Sequence, residues 1–151
     1  MSGPRIKICG LRDAATIRGM DGLPIHEIGF VFAKSRRQVT AETAAALVRE
    51  ACRLRGADGM PPRTVGVFVG PTYEELEALL AEVPLDVVQL HGEESPSFCR
   101  AVCEGLGVRV WKVFAIRGGE APPAERLAPY AGAIDSAMID TAGGEIGRAH
   151  V

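Results

Sequence analysis

Among the 151 residues, the side chains best suited to chemistry are Cys9, the pair Arg36 and Arg37, Gln89 with His91, and Asp140. A thiol and a carboxyl can each exchange a proton with a substrate, and an imidazole can do so near neutral pH. Guanidinium groups hold carboxylates and phosphates through paired N–H donors. Each residue alone also has a plain reading. Cys9 could be a buried thiol, Arg36 and Arg37 solvated loop charges, His91 a brace for its loop, and Asp140 an acceptor for a neighbouring backbone N–H. What they share is position, because each lies at or just beyond the C-terminal end of a run that reads as a β-strand.

Those runs are Arg5–Cys9, Glu27–Phe32, Thr64–Val69, Asp86–Leu90, Arg109–Phe114 and Ala137–Ile139. They are dense in Val, Ile and Phe and do not alternate strictly, the habit of strands covered on both faces in a parallel sheet. Their starts are 22, 37, 22, 23 and 28 residues apart, about one βα unit each, the length a parallel crossover requires. An open doubly wound sheet and a (β/α)8 barrel both fit. The first βα turn, Cys9-Gly10-Leu11-Arg12, is no GxGxxG, which disfavours the dinucleotide-binding sheet. The expected fold class is therefore α/β, a (β/α)8 TIM barrel of which about the first six strands are present. Eight such units need roughly 210 residues. In a barrel the reacting groups sit at the C-terminal ends of strands, where all the residues singled out above fall.

The helices between the runs carry start signals. Thr40 precedes a face of Leu47, Val48, Ala51 and Leu54; Thr72 and Glu75 form a capping box ahead of Leu76, Leu79, Leu80 and Val83; Ser95-Pro96 is a cap followed by proline at the first helical position. A helix is expected from Asp13 to about Met20, and one short helix at best between Glu120 and Tyr130.

Composition sets the class. The chain is 47% hydrophobic and 24% charged with a net charge of −2, as expected of one globular domain. With 17 basic against 19 acidic residues it offers no electrostatic footprint for nucleic acid or an anionic membrane. No apolar run is long enough for a bilayer, and the start Met-Ser-Gly-Pro-Arg has no signal-like apolar region. A cytoplasmic protein is expected. Cys9, Cys52, Cys99 and Cys103 form neither a CxxC pair nor a disulfide framework; Cys99 and Cys103 read as small hydrophobes on one helix face rather than as metal ligands.

Several segments together resemble one family, phosphoribosylanthranilate isomerase of tryptophan biosynthesis. They are Lys7-Ile8-Cys9-Gly10-Leu11, Gly29-Phe30-Val31-Phe32 with Lys34-Ser35-Arg36-Arg37-Gln38-Val39, Gly66-Val67-Phe68-Val69, Val88-Gln89-Leu90-His91-Gly92-Glu93-Glu94, Val110-Trp111-Lys112-Val113 and Ile139-Asp140-Thr141. The resemblance covers about residues 5 to 144. It implies an Amadori rearrangement of N-(5-phosphoribosyl)anthranilate, an aminoaldose, to the 1-deoxyribulose 5-phosphate aminoketose. One general acid and one general base carry it, without metal or cofactor.

By resemblance Cys9 is the base and Asp140 the acid. A free thiol is a poor base at neutral pH, so positive charge nearby would favour the thiolate. The acid must keep its proton, which burial at the barrel mouth would favour. Arg37 aligns with the family's arginine for the anthranilate carboxylate, with Arg36 as the alternative because the loop is one residue short of the pattern. Gln89 and His91 look like binding-wall groups without a catalytic role. The implied partner is the small phosphosugar–anthranilate substrate.

The sequence departs from the family after Ala142-Gly143-Gly144. The family continues into strands seven and eight, whose loops make the phosphate site. Here residues 145–151 read as the translation of a common sequencing adapter. The expected organisation is a partial barrel over residues 1–144 and an unrelated tail over 145–151, with Arg148 and His150 given no role and the chain as written expected to be inactive. Two other readings stay open. A non-catalytic half-barrel that works as a binding or assembly module would end in a covered edge. Another phosphosugar isomerase or epimerase would show metal-ligand histidines or paired aspartates at strand ends.

Overall fold

A computed structural model of the chain describes residues 3–116 and 122–141. The expected tail, at 145–151, lies outside the described residues. Six parallel strands, β1 (Lys7–Cys9), β2 (Glu27–Val31), β3 (Arg63–Phe68), β4 (Val87–Leu90), β5 (Arg109–Ile116) and β6 (Ser136–Thr141), pair strictly in chain order. Between them lie α1 (Ala14–Arg18), α2 (Ala41–Ala51), α3 (Tyr73–Glu82), α4 (Pro96–Leu106) and the single turn α5 (Ala124–Leu127). This is the order of a (β/α)8 barrel, carried through six strands among the described residues.

The helix starts are chemical. Asp13, Thr40, Thr72 and Ser95 each accept the backbone N–H three residues on, satisfying a donor the helix itself leaves free. At Thr72 the box is reciprocal: its hydroxyl accepts from Glu75 N at 3.1 Å, and the Glu75 carboxylate accepts from Thr72 N at 3.0 Å. Thr72→Ala is expected to lower stability by about 1 kcal/mol, read from the midpoint of urea unfolding. Strand starts use aspartate in a similar way. Asp86 takes the Thr64 N–H and Asp135 the Val110 N–H, both at 2.8 Å, so that the first rungs of β3 and β5 are satisfied from the loops beside them.

The strand register sorts side chains into two layers. Ile28, Phe30, Val88, Leu90 and Val110 face the helices, where Leu47, Val48, Leu76 and Val102 close the main core. The expected helix faces are found there, with Leu79 and Leu80 half-buried against the core. Cys99 is fully buried in the same layer and Cys103 lies against its edge; burial pushes both thiols up from their ordinary range. The opposite face carries Cys9, Gly29, Val65 and Val87 in one row, and Val31, Val67, Gln89 and Trp111 in the next. A cavity of about 200 Å³ lined by Lys7, Glu27, Trp111 and Met138 sets β1 and β2 across from β5 and β6. The sheet is therefore curled, with that face inside.

Strand ends differ from expectation in small, explicable ways. Arg5 and Ile6 do not join β1, because the Arg5 guanidinium is taken by the buried Glu27 carboxylate and the Ile6 N–H by His26 Nδ1 at 3.0 Å. β5 runs two residues further than its apolar pattern, to Ile116, because β6 pairs with it as far as Thr141. No helix among the described residues is long and apolar enough to cross a membrane.

Candidate active site

Cys9 is the last residue of β1, and the sequence around it is shaped by close approach. A Cβ at Gly29 would lie 2.8 Å from the Cys9 sulfur, so the neighbouring strand needs glycine there to make room for the thiol. Gly10 then turns the chain with a φ of 82°, a conformation that favours glycine, and its N–H bonds to Gly29 O at 3.0 Å. A Cβ at Gly10 would also lie 3.0 Å from Arg37 Nη1, because the Arg37 side chain crosses this glycine. The guanidinium is thus brought beside the residue that follows Cys9.

The two arginines separate. Arg37 is half-buried over Gly10, whereas Arg36 is exposed and its carbonyl accepts from Arg12 Nη1 at 2.7 Å. That bond ties the loop after β2 to the loop after β1. The Arg37 N–H donates to Ser35 Oγ at 3.1 Å, fixing the start of the same turn.

His91 and Asp140 come together. His91 follows β4, its N–H donating to Phe68 O at 2.8 Å, and its Nε2 lies 3.4 Å from Asp140 Oδ2 on β6. Both side chains are largely withdrawn from solvent, at 14% and 11% exposure. Gln89 points inward two residues earlier; it is fully buried, and its Oε1 has no hydrogen-bond partner among the described residues. A base candidate, a guanidinium, an imidazole and a carboxyl thus stand at the C-terminal ends of β1, β2, β4 and β6, a set suited to binding an anionic substrate and moving protons on it. Among the described residues no three His, Cys, Asp or Glu side chains converge as metal ligands would.

The model of the N-(5'-phosphoribosyl)anthranilate isomerase family matches residues 6–149. The chain belongs to this family. It is 45% identical over 137 residues to the isomerase of Brevibacillus brevis, covering 91% of the chain and 58% of that relative. To the isomerase of Listeria welshimeri it is 40% identical over 117 residues, covering 78% of the chain and 52% of that relative. The crystal structure of the Thermotoga maritima isomerase superposes with a TM-score of 0.76 at 30% identity, over 96% of this chain and 65% of that one. The chain therefore spans little more than half the length of the curated relatives it matches. As a family member its fold is that of the (β/α)8 isomerases.

Sequence reasoning passed over one cluster beside this site. Glu94 and Lys112 form a buried ion pair at 3.2 Å, with side chains 3% and 4% exposed. Glu94 also accepts from Gly70 N at 2.8 Å and from Gly92 N at 2.9 Å, and Lys112 donates to Gly92 O at 2.6 Å. Tyr130 donates to Glu94 O at 2.6 Å. The available signal was Lys112 itself, a charge inside an apolar strand, which burial requires to be paired. Burial pushes the Tyr130 hydroxyl up, with Cys99 and Glu94 adding to the shift. A raised acid keeps its proton in the folded chain after the unfolded chain has lost it. Stability is therefore expected to fall as pH rises above about 10. Urea unfolding at pH 9 and 11 measures it, and Tyr130→Phe should flatten the fall.

Proposed function

We propose that this chain belongs to an enzyme catalysing the Amadori rearrangement of N-(5'-phosphoribosyl)anthranilate in tryptophan biosynthesis, with Cys9 as base and Asp140 as acid. The observation that carries the reading is the meeting of Asp140 with His91 at the mouth where Cys9 and Arg37 also end. Asp140 delivers a proton to the ribose ring oxygen. The C1–O bond breaks, and the nitrogen lone pair forms the protonated imine. The Cys9 thiolate then removes the proton from C2, giving the enolamine, which tautomerises to the aminoketose. The atoms balance, and one acid and one base suffice.

Arg37 is the better candidate for the anthranilate carboxylate, because it faces the mouth while Arg36 faces solvent. Gln89 and His91 form the wall of the substrate site. His91 braces Asp140, and Gln89 backs the wall from a fully buried position. A cytoplasmic setting is part of the proposal, supported by four cysteines that are all free.

The test is an isomerase assay following loss of phosphoribosylanthranilate fluorescence, on the 151-residue chain and on the longest chain its gene encodes. β1 and β6 each have a strand neighbour on one side only among the described residues. Turnover is therefore expected in the longer chain if the two differ. Silence in both would overturn the reading and favour a half-barrel assembly module.

A further inference from the structure

We propose that Glu94 is a positioning residue of this site: through Gly92 it fixes the His91 imidazole against Asp140. The role it serves rests on the isomerase reading, but the positioning itself does not.

The geometry is a clamp on one peptide. The Gly92 N–H, which belongs to the peptide leaving His91, is held by both oxygens of the Glu94 carboxylate, at 2.9 and 3.1 Å. The carbonyl of the same glycine is held by the Lys112 ammonium at 2.6 Å. On the other side of His91, its own N–H is held by Phe68 O at 2.8 Å. With the backbone fixed before and after it, His91 has only its side-chain torsions left, and these bring Nε2 to 3.4 Å from Asp140 Oδ2. Glu94 also takes the Gly70 N–H, so the loop after β3 is locked to the loop after β4.

Two features indicate a purpose beyond cohesion. Withdrawing a carboxylate and an ammonium from water is costly for each ion, and the resulting pair is commonly no more stabilising than apolar side chains of the same volume. What such a pair adds is a fixed geometry. The second feature is Gly92. A Cβ there would lie 2.8 Å from Glu94 Oε2 and 3.0 Å from Gly70 N, so the clamp closes only because glycine follows His91.

The test reads the imidazole directly. In the full chain, Asp140→Asn should shift the 15N resonances of the His91 ring and leave those of His26 unchanged. In the Glu94→Gln background, where one amide oxygen must serve the Gly70 and Gly92 N–H groups that two carboxylate oxygens hold, that response should be reduced. Glu94→Gln strands the Lys112 charge and can fail to fold, so Glu94→Gln/Lys112→Met, which leaves no buried charge, is measured beside it. A full-sized His91 response in either folded background would overturn the proposal. So would the absence of any response to Asp140→Asn in the unsubstituted chain. Where turnover is measurable, the double variant should lose about 10- to 100-fold in kcat, with KM within about twofold, the signature of a misplaced group rather than a lost binding contact. An isomerase assay silent in both the 151-residue chain and the longer one would count against the isomerase reading alone, because the resonance shifts need no turnover.

Discussion

On the proposed mechanism, replacing Asp140 by asparagine is expected to lower the isomerase turnover of the longer chain by about 10²- to 10⁴-fold, the range that a positioned general acid contributes. Asparagine keeps the shape of the side chain and still offers an oxygen to His91 Nε2, so the contact at the barrel mouth survives while the transferable proton does not. Asp140 is the penultimate residue of β6 and asparagine matches it in volume, so unfolding in urea should move by no more than about 1 kcal/mol. Cys9→Ala should cost a similar factor, because alanine cannot take the C2 proton. Cys9→Ser should rescue little, since a hydroxyl is far harder to ionise than a thiol. The double variant should be about as slow as the slower single one, as is usual for groups that act in one sequence of proton transfers. Steady-state kinetics on matched, folded preparations decide the matter. An Asp140→Asn enzyme retaining more than about a tenth of the turnover would remove that carboxyl from the role of acid.

What was legible in the sequence was local or periodic. Thr40, Thr72 and Ser95 cap their helices through donors three residues away, so a short window holds both partners. The strand order follows from the spacing of the apolar runs, because each crossover is long enough for one helix and the sheet then pairs neighbours in sequence. Cys9, His91 and Asp140 could be picked out because a barrel places its chemistry at strand C-termini. Strand ends were less legible, since they depend on partners far along the chain. β1 loses Arg5 to Glu27, 22 residues away, and β5 gains Ala115 and Ile116 from their pairing with Asp140 and Thr141. The sequence likewise leaves the choice between Arg36 and Arg37 open. It turns on which side chain crosses Gly10, a matter of loop path rather than of residue type.

Lys112→Met is expected to destabilise the folded chain by about 3–5 kcal/mol, the cost of breaking a buried ion pair from one side. Methionine fills the volume of the lysine stem, so little of that cost is a cavity. The cost arises because the Glu94 carboxylate, 3% exposed, loses its counter-charge, and because Gly92 O loses its donor. The Gly70 and Gly92 N–H groups remain on the carboxylate and keep it from being wholly unsatisfied. Adding Glu94→Gln should then recover most of the loss, leaving the double variant within about 1–2 kcal/mol of the parent, because a neutral amide can still accept a loop N–H without a charge to bury. The pair of urea midpoints separates two explanations that a single substitution confounds. If the penalty comes from an uncompensated charge, the second substitution reverses it. If Lys112 contributes through its stem and its bonds to Gly92 O and Val113 O, the two variants fall together, and the ion pair contributes little to the fold. Recovery of stability without recovery of His91 geometry would mean that the two charges are retained for the placement of the imidazole, since the fold would stand without them.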